Sequence, residues 1–206
     1  MIYLLNINLS FLENCNGNIK YMAFKDKEKA IETFIAYTKD FVETFSCNKN
    51  VNLDEDLKDE YIDNNVYITY SNEDTNNIVD RTFIADKHGE FRKYVKMQLI
   101  TLNYENDVKK LYIVSDDCSF VAGVEDYSFE VRSDKNSAYQ IFEEWIKTAH
   151  EDFEIPFDII NLRQEKTMEV LNIYDEKVDL YLSDTEFVGK NDIDNQHISL
   201  IEVLVV

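Results

Sequence analysis

Three histidines, His88, His150 and His197, stand in the segments DKHGE, TAHED and NQHIS. Two histidines at i and i+4 on one helix would make a zinc pair, because that spacing puts both rings on one face. None of the three has such a neighbour. His150 precedes Glu151 and Asp152, the makings of a general-base edge. The simpler reading is an exposed polar residue just past a helix end, where the dipole favours it. Cys118 lies in SDDCSF beside two carboxylates, which raise a thiol pKa and suppress the thiolate, so it reads as structural. A phosphate-cradling loop needs clustered glycines, and this chain has four isolated ones, at 17, 89, 123 and 189. Neither GxGxxG, a P-loop nor a GxSxG elbow can be written. NDIDNQH, with Asp192 and Asp194, begins like a calcium loop but lacks the central glycine and has Val203 where the bidentate Glu should fall. DLK at 56–58 and DVK at 107–109, with Asp40 or Asp86 upstream, echo the D/E-x-K of metal-dependent nucleases. A chain with 30% charged residues produces such matches by chance. No motif names a reaction, and the expectation is a protein without catalytic activity, cofactor or metal.

The carboxylates matter as a set. There are 41 acidic against 21 basic residues, a net charge of −20, where a small domain more often carries a magnitude of about 2–8. Residues 1–106 have a net of −6 and residues 107–206 a net of −14. The clusters with candidate partner-binding residues are Asp54, Glu55, Asp56, Asp59 and Glu60 in DEDLKDE; Glu143 and Glu144; Glu151, Asp152 and Glu154 in HEDFE; and Asp192 and Asp194. Any one of them reads as solvated surface. Together, without compensating lysines, they describe a surface that repels phosphate backbones and anionic lipids and attracts basic proteins. Glu143, Glu144 and the 151–154 run also load a helix end where the dipole disfavours them. Tyr61, Tyr67, Tyr70, Tyr127, Trp145, Phe153 and Phe157 interleave with these acids. Such rings serve either as core or as anchors in a basic protein's groove.

The elements that must position these residues come in two similar sets. DKEKAIETFIAYTK (26–39) and DKNSAYQIFEEWIK (134–147) share Asp, Lys, Ala, Phe and Lys in register, 108 positions apart. In each, an Asp of good N-cap type precedes an apolar stripe at helical spacing. Strand-like IYLLNINLS and IKYMAF precede the first helix, and KLYIVSD and YSFEV precede the second, with Cys118 and Gly123 in a loop between them. After the first helix come an acidic connection at 47–65 with a short helix around 53–62, then strands VYITY, DRTFIA and YVKMQLITLNY. After the second come MEVLNIY (168–174), KVDLYLSD (177–184) and ISLIEVLVV (198–206). The expected fold is α+β, mainly antiparallel sheet, with two pseudo-repeated ββα-β-β(β) lobes. The expected boundaries are 1–106 and 107–206, and the lobes are expected to pack together. A tandem duplication accounts for the shared element order; the alternative is two helices sharing amphipathic patterning and cap chemistry.

At 206 residues with 45% hydrophobic content, the chain can bury a sizeable core and does not have the composition of a disordered one. Cys15, Cys47 and Cys118 are an odd number at unrelated spacings, which fits a reduced cytosol. The opening MIYLLNINLSFLEN reads as a strand, not a signal peptide, and no run of about 18 apolar residues could span a bilayer. The expected location is cytoplasmic, the bacterial host cytoplasm if the protein is phage-encoded. B-DNA carries one charge per about 1.7 Å of axis, so about 20 charges mimic about ten base pairs. The expectation is a nucleic-acid mimic or inhibitor that binds a basic nuclease or CRISPR effector, and the composition is similar in kind to phage anti-restriction and anti-CRISPR inhibitors. An immunity or antitoxin protein neutralising a basic toxin is the alternative. An enzyme with an unrecognised carboxylate site, or a structural or assembly protein, ranks lower. Direct contact with nucleic acid or membrane is not expected, and the oligomeric state is left open.

Overall fold

Helical spacing and strand alternation recur in the same order in both halves, and the backbone follows them. The computed structural model describes residues 1–11, 18–45, 60–63, 66–69, 81–86, 93–105, 107–120, 124–155, 166–174, 176–191 and 194–206. These form two compact units, Met1–Lys109 with Leu204–Val206, and Lys110–Val203.

The first unit contains β1 (Ile2–Phe11), β2 (Asn18–Phe24), α1 (Lys27–Phe45), β3 (Glu60–Asp63), β4 (Val66–Thr69), β5 (Arg81–Asp86) and β6 (Lys93–Leu102). Its sheet runs β2-β1-β6-β5-β4-β3, with every neighbour antiparallel. The second unit contains β7 (Lys110–Phe120), β8 (Val124–Arg132), α2 (Lys135–Asp152), β9 (Lys166–Leu171), β10 (Lys177–Leu182), β11 (Glu186–Lys190) and β12 (Asn195–Leu204). Its sheet runs β8-β7-β12-β11-β10-β9. One pattern, ββαββββ with the last strand returned beside the first, describes both, and the fold is α+β.

Among the described residues four strands follow each helix, where two or three were expected. β11 is five residues long and contains Gly189, so its strand signal is weak. The helix expected around 53–62 is corrected over its described end. Glu60–Asp63 is a strand, because Tyr61 and Ile62 favour extended backbone and Glu60 and Tyr61 pair with Ile68 and Tyr67. Cys118 is corrected too: it lies in β7, buried, rather than in a loop.

Both helices start where their aspartates cap free amides. Asp26 Oδ1 accepts from the amides of Glu28 (2.9 Å) and Lys29 (3.3 Å). Asp134 Oδ2 accepts from the Ser137 amide and hydroxyl, both at 2.8 Å. These bonds hold the Asp134 carboxyl below its ordinary value. Helical spacing then buries Ala30 and Phe34 in α1, and Ala138, Phe142, Ile146 and Ala149 in α2. In the first unit the α1 side of the sheet is marked by Lys20, whose Nζ donates to the Tyr37 hydroxyl. Lys20 pairs with Ile7, so Tyr3, Leu5 and Ile7 share its face, with Thr101, Leu99 and Met97 across from them. All six are buried. In the second unit Val114, Val178, Leu180, Leu182, Phe187, Ile198 and Leu200 receive α2. Each fully buried Phe or Leu contributes about 1.5–3 kcal/mol.

One close approach sets how α2 ends. A Cβ at Gly189 would lie 2.6 Å from Phe153 Cε2 and 2.9 Å from Cδ2. Phe153, the C-cap of α2, therefore seats its ring directly on the β11 backbone. Gly189→Ala must push that ring off its seat, and destabilisation by about 1–3 kcal/mol is expected. The check is a lower urea midpoint at unchanged m-value.

Candidate functional site

Most of the described acids proposed from the sequence gather on α2 and the turn that ends it. Glu144, Lys147, Thr148, Glu151 and Asp152 are exposed at i, i+3, i+4, i+7 and i+8, which makes them one outward stripe. Glu143 is half-buried on the flank of that stripe. It borders a narrow groove lined by Tyr139, Phe142, Ile146, Leu182, Ser183 and Asp184, of about 20 Å³. That is room for roughly one water, far below the roughly 300–1,000 Å³ of a ligand pocket. Glu144, Glu151, Asp152 and Glu154 have no cation partner among the described residues. Cations of the second unit engage other acids: Lys110 with Glu202 (2.7 Å), Lys177 with Glu169 (3.0 Å) and Arg132 with Glu130. The Lys110 bond lowers the Glu202 carboxyl and raises the lysine.

The helix closes in a two-bond turn. The Ile155 amide donates to His150 O (3.2 Å) and the Glu154 amide to Glu151 O (3.0 Å). This closure requires a left-handed residue past the cap, a place favouring glycine. Glu154 fills it with φ 53°. His150 is corrected: it sits half-buried in the last turn of α2, not beyond its end. Partial desolvation, then the charge of Glu151, raises the Asp152 carboxyl above its ordinary value.

The remaining proposed acids divide. Asp194 closes the β11–β12 hairpin, its amide donating to Asn191 Oδ1 at 2.6 Å and its Oδ2 accepting from Asn191 Nδ2 at 3.4 Å. Glu60 opens β3. Asp54, Glu55, Asp56, Asp59 and Asp192 lie outside the described residues, as do His88, Tyr70 and Phe157. Among the aromatic candidates, Phe153 is core and Trp145 packs against that core. Tyr127 lies 5.9 Å from Phe129, ring centre to ring centre. None of these three is an exposed anchor.

The sequence did not foresee a polar group on the face of the second sheet opposite α2. His197 Nε2 and Glu186 Oε1 lie 2.8 Å apart across the β11–β12 hairpin. Ser115 and Ser199 hydroxyls are 2.7 Å apart. Half-buried Asp117 is raised by desolvation and lowered in part by the charge of His197. Only strand register brings these residues together, and spacing along the chain carries no trace of it. Among the described residues, no three His, Cys, Asp or Glu side chains are grouped to hold a metal ion. No described helix is long and apolar enough to cross a membrane.

No family model, no curated protein and no solved structure matches the chain. Its chemistry rests on its own residues.

Two outcomes follow from the geometry. Asp117 titrates above 3.8 in the folded state, so ionising it costs stability as pH rises through that window, and the cost is absent at lower pH. Asp117→Asn should therefore melt higher than the parent at pH 7, with the gap closing below pH 3.8. Glu154→Gly should relieve the left-handed residue and stabilise by about 0.5–1 kcal/mol, read from the same denaturant midpoint.

Proposed function

We propose that this protein is a non-catalytic acidic inhibitor that binds a basic nucleic-acid-handling protein, such as a nuclease or CRISPR effector, through the acids of α2. The observation that carries this reading is the exposed Glu144, Glu151 and Asp152 with half-buried Glu154, without cation partners among the described residues, in the half of the chain that carries −14. Glu151, Asp152 and Glu154, at the end of α2, each forgo about 0.3–1 kcal/mol against its dipole, whereas Glu143 and Glu144, expected at the helix end, lie two turns before it and bear no such cost. Arginine and lysine from a partner would offset that cost, since charge-assisted bonds to carboxylates are among the stronger ones. The surrounding negative field would speed encounter and make the rate fall with salt. Inhibition is then occupancy: a stretch of negative charge sits where a phosphate backbone would sit. The aspartates and glutamates need no proton transfer to do this.

The test begins with the protein immobilised and challenged with bacterial lysates, including ones expressing restriction, CRISPR and toxin systems. A basic nucleic-acid enzyme, retained at moderate salt and displaced competitively by nucleic acid, supports the proposal. A single toxin insensitive to nucleic acid supports an immunity role instead. Scattered basic proteins lost at moderate salt count against both. With the partner in hand, Glu143→Gln, Glu144→Gln, Glu151→Gln and Asp152→Asn together should weaken binding more than Asp54→Asn, Glu55→Gln, Asp56→Asn and Asp59→Asn. Equal or reversed losses in a titration would remove the case for α2.

A further inference from the structure

The hairpin between β9 and β10 has apolar residues at its tip. The expected strand through Tyr174 ends at Leu171, and the chain turns at Asn172. Asn172 is 7% exposed and holds the turn from inside. Its Oδ1 accepts from the amides of Tyr174 and Glu176, both at 2.9 Å. Its amide donates to Glu176 O at 2.9 Å, and its Nδ2 to Glu176 Oε2 at 3.2 Å. Around this fixed centre Leu171, Ile173 and Tyr174 stand 51%, 61% and 67% exposed.

The tip is also fastened to the acidic helix end. The Ile173 amide donates to Glu154 O at 3.1 Å. That bond places an isoleucine and a tyrosine beside the turn that carries Glu151, Asp152 and Glu154. Exposed apolar side chains on a pre-set backbone lose little freedom on binding, which is the condition for an anchor. Acids beside them select what covers the anchor. A second copy of this chain would bring like charge against like charge, and an anionic membrane would be repelled in the same way. A basic protein surface would not.

We infer that Ile173 and Tyr174 are the apolar anchor of the docking surface, entering a slot on a basic partner protein whose lysines and arginines meet Glu151, Asp152 and Glu154. This rests on the reading that the chain binds a basic protein, and adds that charge alone is insufficient. Affinity comes from the burial of two side chains, and the acids set rate and orientation.

The test titrates the full ¹⁵N-labelled chain with two probes of equal charge, polylysine and a cationic amphipathic peptide of alternating lysine and leucine. The amphipathic peptide should shift the amide signals of Ile173, Tyr174 and Glu154 and bind at least about tenfold more tightly than polylysine. Ile173→Ala and Tyr174→Ala should each abolish that preference while leaving the melting temperature unchanged, since both side chains are mostly exposed. Equal affinity for the two probes, unaffected by either alanine, overturns the anchor. If neutralising the α2 acids then weakens both probes, the acidic-binder reading survives without it. Failure of both probes to bind overturns the two together.

Discussion

The seat of the Phe153 ring on Gly189 determines where α2 stops. With a side chain at 189, the helix end would have to lift from β11, because the ring already occupies the space a Cβ needs. From that seat the backbone enters a left-handed residue at Glu154, buries Ile155, and offers the Glu154 carbonyl to the β9–β10 hairpin. The helix, its terminal acids and the hairpin tip are thus held by one steric fact, and the backbone bonds around it follow. Core packing and surface chemistry meet at this point. Phe153 belongs to the buried cluster, and the residues on either side of it carry charge.

The acids of α2 are arranged against local advantage. Asp134, at the N-terminus, satisfies free amides and has its carboxyl lowered for it. Asp152, at the other end, is raised by desolvation and by Glu151. One helix therefore carries carboxylates that its own backbone stabilises and others that it does not. The second group gains most from an outside cation.

Much of the architecture was legible from side-chain type alone. The Asp caps, the Ala-Phe stripes of both helices and the aliphatic strands IYLLNIN and KLYIV announce their elements directly, because each obeys a single local period. Short strands did not announce themselves. β11 has five residues and a glycine kept for a ring's approach, and β3 lies in an acidic stretch that read as helix. The site was legible only in part. Acid clusters show in composition, and Glu151 to Glu154 fell where the helix end was expected. The pairing of His197 with Glu186 and the tie from Glu154 to Ile173 depend on register and turn closure, which link residues 11 and 19 positions apart. Trp145 and Phe153 looked like anchors because aromatic rings beside acids fit that role, but the same rings fit a core equally well, and Phe153 is buried.

In each unit the last strand lies beside the first, so Ile2 pairs with Leu102 and β12 returns to β7. A ribosome delivers β1 roughly a hundred residues before its neighbour β6, and the intervening chain has to wait. Contacts so distant in sequence make closure entropically expensive, and domains built on them fold slowly. The edge of β2 waits longest, since Val205 bridges to Ala23 and the Val206 amide bonds to the Ala23 carbonyl. During synthesis the outer edge of β2 is therefore open while almost all of the remaining chain emerges. A half-made copy carries −6 over residues 1–106, and this charge repels a second such copy from pairing with the open edge before Val205 and Val206 reach it.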